Sequence, residues 1–188
     1  MHKSLPNSFV FVDQYENQII NNNTKIGVIY RNYKDKKREN ELIKIAKACK
    51  RKRNMLFVSN NSKLAIKYGA DGIYIPSFNK SKKFMNLEKK KLIILGSAHN
   101  QREIIDKIKQ KCEGIFLSPI FKTNKSKKFL GVVKFNMLKR NAKIKIFALG
   151  GINKENIKKI KSLNVAGCGG ISYFKKKPAL KKAGFLKI

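Results

Sequence analysis

Short apolar segments recur along the chain, and most of them are apolar at every position rather than at alternate positions. Such runs are typical of strands covered on both faces, as in a parallel sheet flanked by helices. Eight runs occur, and each is followed by a stretch of helical or loop character. The predicted strands are 9–13, 25–31, 54–59, 72–77, 91–98, 114–119, 145–151 and 167–172.

Two of the intervening segments have an apolar stripe at helical spacing. Eight strands that alternate with helices predict an α/β fold, namely a single (β/α)8 TIM barrel over residues 1–188 with some short outer helices. Asn100 and Asn153 are suitable N-caps, and Gly69 suits the position after a helix. The predicted stripes are Leu42, Ile43, Ala46 and Cys49 in the segment 37–53, and Ile104, Ile105 and Ile108 in the segment 100–112.

The charge of the chain lies far from that of ordinary globular proteins. The 188 residues include 44 Lys and Arg but 11 Asp and Glu, which gives a net charge of +33. Clustered basic residues are typical of nucleic-acid binding. Here the lysines fall on nearly every predicted helix, and aromatic residues are not interleaved with them as stacking platforms. We therefore favour compositional drift, and non-specific attraction to polyanions follows on either interpretation.

Cysteine content and hydropathy bear on the location of the protein. The three cysteines have no metal-ligand spacing and are odd in number, which suits a reducing compartment. No run is long enough to span a bilayer, and the N-terminal residues lack the apolar segment of an export signal. These features predict a cytoplasmic protein with no membrane partner, and they leave the oligomeric state open.

Side chains at the carboxyl ends of barrel strands carry the chemistry of this fold. In this chain those positions hold mainly neutral hydrogen-bonding groups and cations. Asp13 is the one acidic residue at such a position. A mechanism with paired carboxylates and an all-carboxylate metal site are therefore both disfavoured. An anionic ligand is favoured instead.

Glycines at the ends of the last two strands predict a phosphate site. Gly150 and Gly151 follow the seventh strand, and Gly170, Ile171 and Ser172 end the eighth. Glycine lets the backbone approach a phosphate closely, and amides at a following helix N-terminus would point at it. Barrels frequently bind phosphate with these two loops. The alternative is that Gly150 and Gly151 only make a tight turn.

Three further features of the strand ends suit anions. The basic loop 118–131 would place Thr123, Lys125, Ser126 and Lys127 over a phosphate or pyrophosphate, unless it is only a solvated loop. Arg31 follows the second strand and suits a two-pronged anion contact, with a local salt bridge as the alternative. His99 is either a substrate contact or a structural residue beside the helix cap.

Several segments, in order, resemble the thiamine phosphate synthase/TenI family. They are GVIYR, LFVSNNSKLAIKYGADGIYIP, GSAHNQREI, GIFLSPIFKT, FALGGINKENI and AGCGGIS, and together they cover nearly all of 9–174. The resemblance implies a (β/α)8 barrel that couples a hydroxymethylpyrimidine pyrophosphate to a thiazole phosphate with Mg²⁺ and releases pyrophosphate. Departure of pyrophosphate before attack by the thiazole nitrogen would require anion stabilisation and positioning more than a general base.

The resemblance also implies roles for individual residues. Gly151, Ile171 and Ser172 would contact the thiazole phosphate. Arg31 and Ser97 would act as catalytic residues on the pyrophosphate substrate. Thr123 would contact the same substrate, and Lys125 or Lys127 would replace the loop lysine of the family.

Two departures from the family pattern concern catalysis. Asn60 and Asn79 stand where synthases carry metal-binding aspartates, so we expect Mg²⁺ to bind weakly or not at all. The TenI-like tautomerases use a histidine at the position of Pro119. The leading hypothesis is a synthase-like transferase of thiamine biosynthesis. The alternatives are a TenI-like thiazole-phosphate-binding protein or tautomerase without coupling activity, and a basic polyanion-binding protein on a diverged barrel.

Overall fold

Eight parallel strands form a closed barrel in a computed structural model that describes residues 4–33, 38–124 and 126–170, with the backbone alone for 88–90. Neighbouring strands pair in chain order, and β8 closes the barrel against β1. The predicted (β/α)8 barrel is confirmed, and every predicted strand overlaps an observed one. The strands are β1 (Ser8–Val12), β2 (Gly27–Tyr30), β3 (Met55–Ser59), β4 (Gly72–Ile75), β5 (Ile93–Ala98), β6 (Gly114–Leu117), β7 (Lys145–Leu149) and β8 (Gly167–Gly170).

Several of the outer helices are short, as the chain length predicts. Three have only five or six residues, and a 3₁₀ helix, Lys82–Lys90, follows β4 in place of an α-helix. In the part of the chain described, no helix is long and apolar enough to cross a membrane. The α-helices are α1 (Asn17–Asn21), α2 (Arg38–Lys52), α3 (Ser62–Lys67), α4 (Gln101–Lys109), α5 (Gly131–Arg140) and α6 (Ile157–Lys161).

Aromatic rings fill much of the barrel interior. The ring of Phe9 lies edge-on to those of Phe116 and Phe147, with centroids 5.0 and 4.9 Å away. This edge-to-face arrangement is the one that aromatic rings prefer. Glycines make room for the rings, because a Cβ atom on Gly27 would lie 2.2 Å from the Phe9 ring. A Cβ atom on Gly114 would lie 2.7 Å from that of Phe147.

The buried face of α2 differs slightly from the predicted one. Leu42 and Cys49 are buried as predicted, and the other buried positions are Ile45 and Ala48. The residues predicted there, Ile43 and Ala46, are only half-buried. The buried stripe thus lies at i, i+3, i+6 and i+7. Packing against the barrel determines which apolar residues of this helix are buried.

The buried face of α4 differs from the prediction more strongly. Ile104 is fully buried, but Ile105 and Ile108 are each 42% exposed, so the predicted stripe is wrong at two positions. A lysine, Lys107, is buried in their place. The predicted N-cap is confirmed, because the Asn100 side chain accepts a hydrogen bond from the Glu103 amide. Gly69, which follows α3, has the positive φ of +61° expected after a helix end.

Candidate functional site

The predicted site residues that the structure describes lie around one open end of the barrel, where the carboxyl ends of the strands meet. We call this end the mouth and distinguish two parts of it. The glycine side consists of the described parts of the loops after β6 and β7, residues 118–124, 126–130 and 150–156. The amide side consists of the loops after β3 and β4, residues 60–61 and 76–81. Of the predicted residues, Lys125, Ile171 and Ser172 lie outside the described part of the chain.

On the glycine side, two loops pack backbone against backbone. Gly150 and Gly151 have φ values of +94° and +71°. The amide of Phe121 donates to the Gly150 carbonyl over 3.1 Å. A Cβ atom on Gly151 would lie 2.5 Å from the carbonyl oxygen of Lys122. The close approach of the loop after β6 therefore requires glycine here, whether or not a ligand binds.

A turn separates these glycines from the next helix. The Asn153 side chain accepts from the amides of Glu155 and Asn156, each over 3.0 Å. The Asn156 side chain in turn accepts from the Asn153 amide. The helix α6 begins only at Ile157, so the prediction that Asn153 caps a helix is wrong. Its side chain closes the turn instead. The backbone amides that could bind an anion on this side are therefore those of the glycine turn.

The basic loop after β6 contains a tight turn. Thr123 and Ser126 exchange two backbone hydrogen bonds of 3.3 Å. The Thr123 hydroxyl also accepts from the Ser126 amide over 3.1 Å. This threonine is half-buried, and Lys127 is exposed. The loop therefore has a defined turn next to the glycines, and its phosphate contacts stay a prediction.

On the amide side, the two family metal positions lie together. The Asn79 side-chain oxygen accepts from the Ser81 amide over 2.8 Å. Because a backbone amide can only donate, this contact fixes which end of the Asn79 side chain is oxygen. The Asn79 nitrogen therefore donates to the side-chain oxygen of Asn60. The two side chains form an amide pair that is joined by this one hydrogen bond.

The amide pair does not fit Mg²⁺. This ion prefers charged carboxylate oxygens in octahedral geometry. Both amide oxygens here already accept a hydrogen bond, and both side chains are neutral. Within the described ranges no group of three His, Cys, Asp or Glu residues could hold a metal ion.

A buried polar clamp supports the amide side from α4. The ammonium of Lys107 donates to the Asn79 carbonyl over 2.8 Å and to the side chain of Gln110 over 2.9 Å. The side-chain nitrogen of Gln110, Nε2, donates to the carbonyls of Asn79 and Ser81, over 3.0 and 2.8 Å. Loss of hydration on burial lowers the pKa of Lys107. We call these two residues the Lys107–Gln110 clamp; the lysine stem lies against Gly96, where a Cβ atom would be 2.8 Å from its Cδ.

Ser97 lies at the floor of the mouth. It is buried in β5 and hydrogen-bonded to Tyr74, whose pKa is raised by burial. Arg31 lies at the rim, with its Nε atom 3.6 Å from Asp13. The predicted salt bridge alternative is therefore present, although the pair is long and the Asp13 side chain is 65% exposed. An exposed pair of this kind is weak, so it leaves Arg31 available to an anion.

His99 joins three loops of the mouth. Its Nδ1 atom lies 2.7 Å from the Ser118 carbonyl, and its Nε2 atom lies 3.1 Å from the Ser77 hydroxyl. Since a carbonyl only accepts, Nδ1 carries the proton and Nε2 accepts from Ser77. Both ring nitrogens thus have protein partners. This arrangement agrees with the structural alternative for His99, and a substrate contact stays a prediction.

Two exposed aromatic side chains at the mouth were not predicted as site residues. The rings of Tyr33 and Phe78 meet at nearly right angles, with centroids 6.1 Å apart. The Tyr33 hydroxyl lies 2.8 Å from that of Ser59, and burial raises its pKa. Polarity was the criterion for site residues, and it excluded these two. Their positions three residues after β2 and β4 are the signal that would have found them.

Comparison with known proteins decides the family. Residues 11–174 match the family described as thiamine monophosphate synthase. The chain belongs to this family. Among its relatives is the thiamine-phosphate synthase of Prochlorococcus marinus subsp. pastoris, which is 33% identical over 138 residues. The thiamine-phosphate synthase of a second Prochlorococcus marinus strain, SARG, is 31% identical over 153 residues.

These relatives are much longer than the matched region. The alignments cover 70% and 75% of this chain but only 38% and 43% of the two Prochlorococcus proteins. A solved structure of thiamine phosphate pyrophosphorylase from Pyrococcus furiosus superposes with a TM-score of 0.73 at 18% identity, over 89% of this chain and 86% of that one. This structural similarity supports the barrel fold of the chain.

Proposed function

We propose that the chain is a thiamine-phosphate-synthase-like transferase. It would join a hydroxymethylpyrimidine pyrophosphate to a thiazole phosphate and release pyrophosphate. The observation that carries the proposal is a family barrel whose mouth has a glycine turn after β7 and Arg31 after β2. Two phosphorylated substrates need such anion contacts at two places. The family match and the names of the relatives support the same reaction.

The glycine side would bind the thiazole phosphate. The positive φ values of Gly150 and Gly151 turn successive backbone amides in the manner of an anion nest. Ile171 and Ser172, which follow β8 in the sequence, would be the remaining contacts of this site. Thr123, with Lys125 or Lys127, would close the site from the loop after β6.

The other substrate would react near Arg31 and Ser97. The bond between the pyrimidine methylene carbon and the pyrophosphate oxygen breaks, and the oxygen leaves with the electron pair. The thiazole nitrogen then uses its lone pair to form the new C–N bond. Arg31 would stabilise the charge that develops on the leaving group. Ser97, buried beside Tyr74, would orient the substrate from the floor of the mouth.

Metal dependence would differ from the family pattern. The family uses Mg²⁺ to neutralise pyrophosphate, and the resemblance places that ion at Asn60 and Asn79. The amide pair is neutral and both of its oxygens already accept a hydrogen bond, so we propose that Mg²⁺ binds weakly or not at all. Lysines of this strongly basic chain would supply part of the missing positive charge.

Pyrophosphate release tests the proposed reaction directly. Purified protein receives both substrates, with either Mg²⁺ or a chelator, at a salt concentration that suppresses non-specific polyanion binding. We expect release above background in both conditions, and an Arg31→Gln variant that loses most of it. No release from the wild-type protein in either condition would overturn the coupling reaction.

A thiazole-phosphate-binding protein without coupling activity is the second candidate. The observation in its favour is the replacement of both metal-binding acids by the amide pair. Its tautomerase version is not supported, because Pro119 occupies the position of the required histidine and packs against Gly150. Binding of thiazole phosphate without turnover of the pyrimidine pyrophosphate would favour this candidate over the transferase.

A further inference from the structure

Two aromatic rings stand at the mouth without a role in the proposed anion sites. The Phe78 residue is 70% exposed and Tyr33 is 41% exposed, yet their rings contact each other across two separate loops. Tyr33 follows β2, and Phe78 follows β4. Large apolar side chains that are exposed together at a concave site are typical of ligand contacts.

Both rings rest on fixed supports. The Tyr33 hydroxyl is hydrogen-bonded to the buried Ser59 hydroxyl at the end of β3. Phe78 directly precedes Asn79, whose carbonyl is held by the Lys107–Gln110 clamp. The rings are thus exposed to solvent but attached to ordered backbone. Such preorganisation reduces the conformational entropy lost on binding.

The rings also border the proposed pyrophosphate position. Phe78 is adjacent in sequence to Asn79, and Ser59, which holds Tyr33, is adjacent to Asn60. Arg31 lies two residues before Tyr33 and contributes a nearby positive charge. A ligand that carries a flat heteroaromatic ring next to a pyrophosphate matches this combination of aromatic and cationic groups.

We propose that Tyr33 and Phe78 form the binding surface for the pyrimidine ring of the pyrophosphate substrate. This inference rests on the proposed function, because that function supplies the substrate. The electron-rich ring faces would also attract the cationic pyrimidine that forms when pyrophosphate leaves. Aromatic faces do this without a carboxylate, and among the described residues Asp13 is the one acidic residue that directly follows a strand.

Binding measurements on Phe78 variants test the inference. Calorimetry gives dissociation constants for three ligands: hydroxymethylpyrimidine pyrophosphate, inorganic pyrophosphate and thiazole phosphate. We expect Phe78→Ala to weaken binding of the pyrimidine ligand about tenfold, as for loss of one base–aromatic stack. Binding of the other two ligands should not change. Phe78→Trp should retain pyrimidine affinity, and Tyr33→Ala should lose it while Tyr33→Phe keeps most of it.

Met137→Ala is the matched control, since Met137 is 65% exposed on α5 and has no proposed role. Circular dichroism checks that each variant is folded. Wild-type-like pyrimidine binding by Phe78→Ala would overturn the inference, and so would an equal loss for inorganic pyrophosphate or a loss confined to thiazole phosphate. These results leave the proposed function intact if the wild-type protein releases pyrophosphate. Failure of the wild-type protein to bind the pyrimidine ligand or to release pyrophosphate would instead reject the proposed function.

Discussion

The glycine side and the amide side of the mouth are built by different physical means. On the glycine side, Gly151 and the carbonyl of Lys122 are in direct backbone contact, with no space for a side chain. On the amide side, side chains hold the loop, through the amide pair and the Lys107–Gln110 clamp. The first side is fixed by shape and the second by hydrogen bonds. The amide side can therefore exchange one side chain for another, such as Asn for Asp, without a change of backbone. Gly151 on the glycine side cannot accept a side chain.

The largest expected effect concerns the glycine side. Gly151→Ala should lower the free energy of unfolding by about 3 kcal/mol, since it combines a left-handed backbone with a steric clash. Gly69→Ala is the matched control, because Gly69 has φ of +61° and open space around it. The control should lose only about 1 kcal/mol. Urea denaturation of both variants measures the difference.

Equal losses in the two glycine variants would contradict the shape argument. The close contact with the loop after β6 would then cost nothing, and backbone conformation alone would explain the glycine. Phosphate titration of the folded variants adds a second measurement. Reduced phosphate affinity is expected for Gly151→Ala and not for Gly69→Ala.

The next effect concerns the Lys107–Gln110 clamp. Lys107→Met keeps the stem but removes the donor to Asn79 and to Gln110, which should cost about 1–3 kcal/mol of stability. Lys109→Met is the matched control, since Lys109 is exposed on the same helix. Denaturation in urea measures both. A loss no larger than that of the control would show that the clamp does not hold the amide side.

The difference in stability between the wild-type protein and Lys107→Met should depend on pH. Burial lowers the pKa of Lys107, so over part of the alkaline range the unfolded chain binds a proton that the folded protein has released. Stability contributed by a group rises with pH where the unfolded state binds more protons. The stability of the wild-type protein relative to Lys107→Met should therefore rise with pH below about 10, the ordinary pKa range of lysine. A difference that falls with pH would contradict this sign.

The smallest effect concerns metal binding at the amide side. The double variant Asn60→Asp with Asn79→Asp places two carboxylates together, so Mg²⁺ should stabilise it by about 1 kcal/mol at a few times its dissociation constant. The wild-type protein should not respond. Thermal unfolding with and without Mg²⁺ measures this difference. A control with the same charge change, Asn22→Asp with Asn164→Asp, should not respond either. An Mg²⁺ response of the wild-type protein would show that the neutral amide pair does fit the ion.

The fold was predictable because its strands are apolar on both faces. Each predicted strand, such as 114–119, has an observed counterpart at nearly the same place. The face of α4 was not predictable, since Ile105 and Ile108 follow helical spacing as well as Ile104 does. Lys107 is buried because Gly96 leaves room for its stem and the Asn79 carbonyl accepts from its ammonium. Both causes are tertiary contacts, and the spacing of apolar residues along the helix gives no information about them.

The site was predictable to the extent that it is polar and follows strand ends. That rule selected Arg31 and Ser97, which lie at the mouth and whose roles stay predictions, whereas the contact between Asn60 and Asn79 became visible only in the structure. It did not identify Tyr33 or Phe78, since aromatic residues at strand ends are also common in cores. The turn closed by Asn153 was missed because a cap for a turn and a cap for a helix have the same sequence.

The rings inside the barrel impose an epistatic constraint. Phe9 occupies the volume that a side chain at position 27 would need, and Phe147 does the same for position 114. Neither member of such a pair can change in size alone without a clash or a cavity. Divergent members of the family should therefore exchange large and small residues at these positions jointly. A paired substitution, with a small residue at position 9 and a larger one at position 27, would keep the filled volume of the core unchanged.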